Sequence, residues 1–271
     1  ENLERTGIFL GKTEVRVNRF FYQADLRIIV GSIIPHAFAG FSAGAKLVLP
    51  GLSDIETLER THKYVMMGFR GGANNVETNT FRAEIEEVVS QIGVDFFVGV
   101  VPNSRRKPCG VFAGDLVQAH RQGVALARQV FATPVDQAGD ILVLNAYPKD
   151  TELFQADTAL TPLQGKIDQL ISQNGTIVLL CHCENGLGHH YLFGPGMRLQ
   201  RKGIKKRLLQ GRDLFVFSPS LGRPAFERLY WAGYSLYNTW QEVIVRLREK
   251  HGDAARVSIL PQAPIQLVSV E

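Results

Sequence analysis

One stretch limits the fold of this chain more than any other: an apolar, β-branched-rich segment that runs into small residues and returns through a helix. Ala24-Asp25-Leu26-Arg27-Ile28-Ile29-Val30 reads as a buried strand. It leads into GSIIPHAFAGFSAGAKLVLPGLSDIETLERTHK, Gly31 to Lys63. There His36 precedes the small residues Ala37, Ala39, Gly40, Ser42, Ala43, Gly44 and Ala45, Lys46 follows, and Pro50-Gly51 breaks the chain. Ser53 and Glu56 stand at S-x-x-E spacing, which predicts a capping box and a helix starting near Asp54. Ile55, Leu58, His62 and Val65 then recur at helical spacing, so His62 is expected on or beside an apolar face. A strand that opens into a loop and a helix is a βα unit, and open α/β sheets bind their ligands at such strand ends.

The residue types suit several chemistries. Small residues let a backbone approach a flat or phosphorylated ligand. A lysine leaving such a loop can pair with phosphate or serve as a covalent anchor. Histidine can ligate a transition metal or move a proton near neutral pH. A P-loop is excluded: Gly40 and Gly44 are one residue too close, Ala45 separates Gly44 from Lys46, and Leu47 stands where the magnesium-binding hydroxyl belongs. An ordinary tight strand-to-helix connection would carry the same residues. The spacing of His36, Lys46 and His62 alone does not choose between a site and a connection.

The remaining pattern sets the fold class. Gly7 to Leu10 and Glu14 to Asn18 read as short strands. Gly68 to Asn75 (GFRGGANN) reads as a flexible connection. Thr80 to Ile92 carries the stripe Phe81, Ile85, Val88, Val89 and Ile92 and is predicted helical. Strands follow at Val94 to Pro102 and Cys109 to Ala113, then a helix from Asp115, its cap, to about Phe131. Thr133 to Gly139 reads as a domain boundary. Beyond it come a strand at Asp140 to Asn145 and a helix containing Phe154, Gln155 and Leu160. A helix at Leu163 to Asn174 and strands at Thr176 to Cys181 and Leu214 to Phe217 follow. The chain closes with an amphipathic helix at Leu236 to Lys250 and strands at Val257 to Leu260 and Ile265 to Val270. The alternation implies a parallel sheet with helices on both faces. The expected class is α/β: two α/β/α domains with largely parallel sheets and a cleft between them.

Composition bounds the partners. At 271 residues the chain is long enough for two ordinary domains, and its 45% apolar content is that of a soluble globular protein. No apolar run of membrane-spanning length and no signal peptide is present, so no membrane association is expected. Cys109, Cys181 and Cys183 form an odd set without disulfide spacing, which suggests a reducing, cytoplasmic setting. Cys181-His182-Cys183 lacks the partner pair of a zinc site and reads better as the end of a strand. Arg198, Arg201, Lys202, Lys205, Lys206, Arg207 and Arg212 cluster, but Leu199, Ile204, Leu208 and Leu209 interleave at helical spacing and no aromatic interrupts them. That pattern fits a solvated helix face better than a nucleic-acid surface.

Several ordered motifs resemble the nickel-dependent lactate racemase family. PHAFAGFSAGAK, then LPG and a helix ending ERTHK, is similar to its signature. Leu10-Gly11-Lys12-Thr13 with Val15-Arg16-Val17-Asn18 resembles its upstream strand. Asn145-Ala146-Tyr147-Pro148-Lys149-Asp150 with Leu153-Phe154-Gln155-Ala156 resembles its second-domain motif, and Cys183 to Gly188 its late Gly-rich turn. Gly114-Asp115 with Ala119-His120 looks like its GDxxxAH run.

The resemblance implies a racemase or epimerase of a 2-hydroxy acid, acting by hydride abstraction and return on a nickel-pincer nucleotide, pyridinium-3,5-bisthiocarboxylic acid mononucleotide. Lys46 would attach it covalently through a thioamide, Gly40, Ser42 and Gly44 would contact it, and His62 would ligate the nickel. His36 would be one of two acid/base histidines, and Gln155 would meet the substrate. Cofactor-biosynthesis proteins are implied partners, and protein made without them is expected to lack the cofactor. The resemblance also assigns residues 1–133 to a cofactor-binding domain completed by 255–271, and 139–250 to a second domain contributing substrate contacts. It places Cys183 near a turn lining the interdomain cleft. A chain that starts at Glu1 on a motif that sits mid-chain in the family is expected to lack an N-terminal part carrying the second acid/base histidine and an arginine loop. Two departures stand out. Thr158 occupies the position of a lysine that meets the substrate, and Ala43 and Ala45 replace a glycine and an arginine. They leave open a non-catalytic cofactor- or nucleotide-binding member of the same family.

Overall fold

The computed structural model describes residues 2–66, 72–200 and 203–270, divided into two compact units, residues 1–132 and 133–271. The first opens with an antiparallel hairpin, β1 (Leu3–Leu10) and β2 (Thr13–Asn18), turning at Gly11, and a single turn α1 (Arg19–Tyr22). β3 (Ile28–Ser32) pairs in parallel with β6 (Phe96–Pro102), which pairs antiparallel with β7 (Pro108–Gly114). Between β3 and β6 lie the small ladder β4 (Pro35–His36) and β5 (Gly40–Phe41), α2 (Ile55–Met66) and α3 (Thr80–Ile92). α4 (Leu116–Val130) packs on β6 and β7. Asp115 caps α4 as its residue type predicts, accepting the N–H of Val117 at 3.0 Å and of Gln118 at 2.8 Å.

Three expectations for this unit change. The strand read over residues 24–30 is β3, shifted toward the loop, and it is not buried on both faces. It is an edge of its sheet, so Ile29 is buried while Ile28 and Val30 are 50% and 64% exposed. Asp54, rather than Ser53, accepts the helix N–H of Thr57, at 2.9 Å, because Ser53 turns its hydroxyl back to the Pro50 carbonyl. Among the described side chains of α2 the buried ones are Thr57 and Thr61, behind the buried cap Asp54, so His62 lies beside a polar buried face. Of the glycine-rich connection read at 68–75, residues 68–71 lie outside the described residues.

The second unit holds a five-stranded, all-parallel sheet in the order β12-β11-β10-β9-β13. Its strands are β9 (Gly139–Asn145), β10 (Ile171–Leu180), β11 (Asp213–Phe217), β12 (Ser235–Tyr237) and β13 (Val257–Leu260), and β8 (Ala132–Val135) pairs apart with β14 (Leu267–Val270). Helices α5 (Leu153–Ala156), α6 (Ile167–Leu170), α7 (Arg223–Leu229) and α8 (Trp240–His251) intervene. Ile141, Val143, Val178 and Phe215 pack with Val243 and Leu247 of α8, while Leu142, Leu144, Ile177, Leu179 and Val216 are fully buried. Central strands are therefore covered on both faces and read as unbroken apolar runs.

Here too the sequence pattern misleads in places. The helix expected at 163–174 is one turn, α6, because Ile171 already pairs with Gly139 and a bulge carries the chain to Thr176 opposite Ile141. The helix expected from Leu236 starts at Trp240, behind a capping box of Thr239 and Glu242. The basic segment forms no helix beyond one 3-10 turn, Arg207–Leu209, among the described residues. Its Arg212 is 3% exposed and bonds the carbonyl of Ser172 at 2.9 Å and the carboxylate of Asp168 at 2.6 Å. Residues 257–270 do not complete the first unit: β13 is the parallel neighbour of β9, and β14 pairs with β8.

Candidate functional site

The loop from Ile33 to Pro50 is ordered from beneath by two side chains that arrive from later helices. Arg82 of α3 is fully buried. Its Nε donates to the Ala39 carbonyl at 3.2 Å, its Nη1 to that of Ala43 at 3.3 Å, and its Nη2 to that of Phe41. Burial lowers its pKa to about 10, so it remains a cation at neutral pH. His120 of α4 lies beside it, 1% exposed, with Nε2 2.9 Å from the Ser42 carbonyl. Arg121 donates to His120 Nδ1 at 3.1 Å, so the imidazole proton belongs on Nε2 and is given to Ser42. Burial and the nearby Arg82 pull the His120 pKa down to about 3. Glu86 answers the cations, 3.7 Å from Arg82 and 2.7 Å from Arg121. Four loop carbonyls thus have defined donors, in a segment too short of regular structure to satisfy them itself.

This foundation dictates the small residues above it. Gly40 has φ +73°, and a Cβ there would come within 2.1 Å of the Asn75 carbonyl oxygen. Gly44 has φ +61° and rests on the His120 ring, where a Cβ would lie 2.9 Å from Cδ2. Ala43, at φ 58° and ψ −164°, occupies a region that is essentially glycine's and costs a residue with a Cβ about 1–3 kcal/mol. Ser42 donates its hydroxyl to the Ser32 carbonyl and accepts the Ile34 N–H at 3.0 Å, so its side chain closes the loop.

His36 and Lys46 sit on this framed loop. His36 Nδ1 accepts the N–H groups of Phe38 and Ala39, both at 3.2 Å. Two donors aimed at one lone pair place the neutral ring's proton on Nε2. Lys46 lies half-buried in the 3-10 turn Gly44–Leu47, against which α3 and α4 both pack. The loop's exit is fixed as firmly, since Asn18 N–H meets the Leu52 carbonyl at 2.8 Å and Asp54 N–H that of Arg16 at 3.0 Å. α2 then carries His62, half-buried, with Nδ1 2.8 Å from the Leu58 carbonyl. A carbonyl can only accept, so Nδ1 carries the proton and Nε2 the lone pair, the form in which imidazole binds a metal.

In the second unit Gln155 lies on the single turn α5, which is tied to the Gly-rich turn by Leu153 N–H to the Gly186 carbonyl (3.0 Å) and Phe154 N–H to that of Leu187 (3.2 Å). Thr158 donates its hydroxyl to the Gln155 carbonyl at 2.6 Å. Cys183, at φ 53°, gives its N–H to the Asp150 carbonyl at 2.7 Å. The neighbouring Cys183 thiol and burial push the Cys181 thiol far up, so it stays protonated. Among the described residues no three His, Cys, Asp or Glu side chains converge as a metal cluster. No described helix is long and apolar enough to cross a membrane.

The sequence reading missed Arg82, Glu86 and Arg121. Arg82 had a signal: it stands three residues before Ile85 and seven before Val89, a charge within the apolar stripe of α3.

A family model for the lactate racemase N-terminal domain matches residues 1–73. The chain is 26% identical over 219 residues to a lactate racemase of Thermoanaerobacterium thermosaccharolyticum, covering 79% of this chain and 50% of that protein. It is 28% identical over 174 residues to a lactate racemase of Lactiplantibacillus plantarum, covering 64% and 40%. It thus spans half or less of the length of these relatives. Its fold is similar to that of the lactate racemase apoprotein from T. thermosaccharolyticum, with a TM-score of 0.77 at 18% identity, covering 99% of this chain and 68% of that one. It is also similar to that of a structural-genomics protein from Thermotoga maritima, with a TM-score of 0.70 at 15% identity, covering 95% and 70%.

Proposed function

We propose, from the premise that this chain belongs to the lactate racemase family, that it is the part of a 2-hydroxy-acid racemase or epimerase that holds a lysine-tethered nickel-pincer nucleotide. The observation that carries this reading is the state of the two histidines that flank Lys46 in sequence. The Leu58 carbonyl holds the His62 proton on Nδ1, which leaves the ring's lone pair on Nε2. Two backbone amides hold the His36 lone pair on Nδ1 and leave a proton on Nε2. One ring presents the tautomer that binds a metal, and the other a fixed N–H that can hydrogen-bond a substrate oxygen.

The donor set fits the group. A single protein imidazole suits a nickel ion whose other ligands belong to the nucleotide. Lys46 is the anchor, an amine on a braced turn that can form a thioamide with the pyridinium ring's substituent. When bound, the nucleotide supplies a hydride acceptor for the α-carbon of the substrate. Neutral His36 would orient the substrate through an Nε2–H hydrogen bond to the hydroxyl oxygen, and the hydroxyl proton that must leave with the hydride would pass to the second acid/base histidine that the family resemblance implies. Gln155 is the residue to which the family resemblance gives a substrate contact. Gly40 and Gly44 act indirectly, by letting the loop lie on Asn75 and His120.

The test is intact mass and nickel content of the full-length protein co-expressed with the cofactor-making genes. A mononucleotide-sized adduct and about one nickel are expected, with the adduct lost in Lys46→Ala. His62→Ala should keep the adduct and lose the nickel. The loaded protein should then racemise a 2-hydroxy acid. Unmodified wild-type protein under these conditions would sink the reading, and a loaded protein inert toward every 2-hydroxy acid would mark a cofactor-binding member without catalysis.

A further inference from the structure

We propose that Lys149 supplies the positive charge that holds the carboxylate of the substrate, in place of the lysine that Thr158 replaces. This rests on the reading above and goes beyond it by naming the group that selects an anionic ligand.

The first argument is position. In the order β12-β11-β10-β9-β13 the chain leaves β9 toward β10 on one side and reaches β13 on the other. That makes the carboxyl ends of β9 and β13 the topological switch point, where parallel sheets leave a crevice for ligands. Asn145 to Asp150 is the segment that emerges there, and Lys149 is its only cation. The turn is firmly held: Lys149 N–H meets the Ala146 carbonyl at 2.7 Å, and Asp150 accepts the Cys183 N–H at 2.7 Å. The same turn feeds α5 and Gln155.

The second argument is charge. Lys166 donates to the Val268 carbonyl, Lys206 pairs with Asp157 at 2.7 Å, and Lys250 pairs with Asp213 at 2.7 Å. The Lys149 side chain makes no hydrogen bond or ion pair among the described residues, yet the residue is half-buried. Burial lowers its pKa, and no carboxylate offsets the effect. A desolvated ammonium without a counter-ion is costly, and an arriving anion removes the cost. Thr158 cannot fill the role: it has no charge, and its hydroxyl is given to the Gln155 carbonyl.

The experiment titrates Lys149 directly. Lysines of the complete chain are dimethylated with a carbon-13 label, and the Lys149 resonance is identified by its loss in Lys149→Met. The probes are glycolate, the smallest 2-hydroxy carboxylate, and glycolamide, its neutral counterpart. Glycolate should move the Lys149 resonance and raise its pKa, and glycolamide should do neither. In cofactor-loaded protein, Lys149→Met should raise KM for a 2-hydroxy acid by about 10- to 100-fold, the range of one charge-assisted hydrogen bond. Lys149→Arg, which keeps the charge, should recover much of it. A Lys149 resonance indifferent to glycolate overturns the proposal, whatever the enzyme does. A response to glycolate in a loaded protein that racemises nothing leaves the carboxylate site standing and removes the reaction.

Discussion

Acid should loosen the loop that carries His36 and Lys46, and His120 should be the residue responsible. In the native state its pKa is pulled from 6.5 to about 3. Unfolded, it takes up a proton below about 6.5, so across that window the unfolded state binds more protons and stability falls as the pH falls. At pH 5 the native ring is still neutral while the unfolded one is protonated. The difference of about 1.5 pH units below 6.5 corresponds to about 2 kcal/mol lost relative to neutral pH. The ring is 1% exposed, so solvent screening takes little from this figure. The assay must read the first unit. Both tryptophans, Trp231 and Trp240, belong to the second, so fluorescence would follow the wrong transition. Hydrogen exchange of the α3 and α4 amides at pH 7.5 and pH 5, corrected for intrinsic rates, reports the right one. His120→Gln should be less stable than wild type at neutral pH, yet lose about 2 kcal/mol less between the two pH values. Glu77 and Glu84, which are also shifted, contribute equally to both proteins and cancel. An equal loss in wild type and variant would refute the argument.

Two further substitutions test the packing. Arg82→Met strands the carbonyls of Ala39, Phe41 and Ala43 and should cost about 3 kcal/mol by hydrogen exchange in α3, with Arg82→Lys recovering only part because an ammonium cannot span three carbonyls. Thr239→Ala removes the capping box of α8 and should cost about 1 kcal/mol, read as a lower urea midpoint in tryptophan fluorescence.

Much of this molecule was legible where local chemistry and tertiary context agree. α3 declared itself by its stripe, α4 by the Asp115 cap, and β9 by its unbroken apolar run. Context overrode local signals elsewhere. Ile167, Leu170 and Ile171 fit a helix, but pairing with β9 claims the chain at Ile171 and a bulge absorbs the residues before Thr176. A basic run spaced like a helix face became an irregular segment because Arg212 is drawn inward by carbonyls far away in sequence. Val257–Leu260 gave no hint of its partner, which pattern alone never names. Of the candidate site residues, His36 and Lys46 were visible as residue types in a small-residue loop and His62 on the helix after it. Their protonation geometry was not, since it depends on which carbonyl or amide each ring meets. Arg82 shows how a charge inside an apolar stripe can signal a buried job rather than an error in the helix reading.

The hold of Arg82 and His120 on the loop also orders events in time. The carbonyls of Ala39, Phe41 and Ala43 wait for a side chain some 39 to 43 positions later, and that of Ser42 for one 78 positions later. Contacts of such sequence separation form late, after the entropy of closing the intervening chain has been met. A growing chain that has not yet released α4 has Lys46 but no finished turn to display it. The turn that carries Lys46 is therefore complete only once His120, 78 positions beyond Ser42, has been made and packed beneath it.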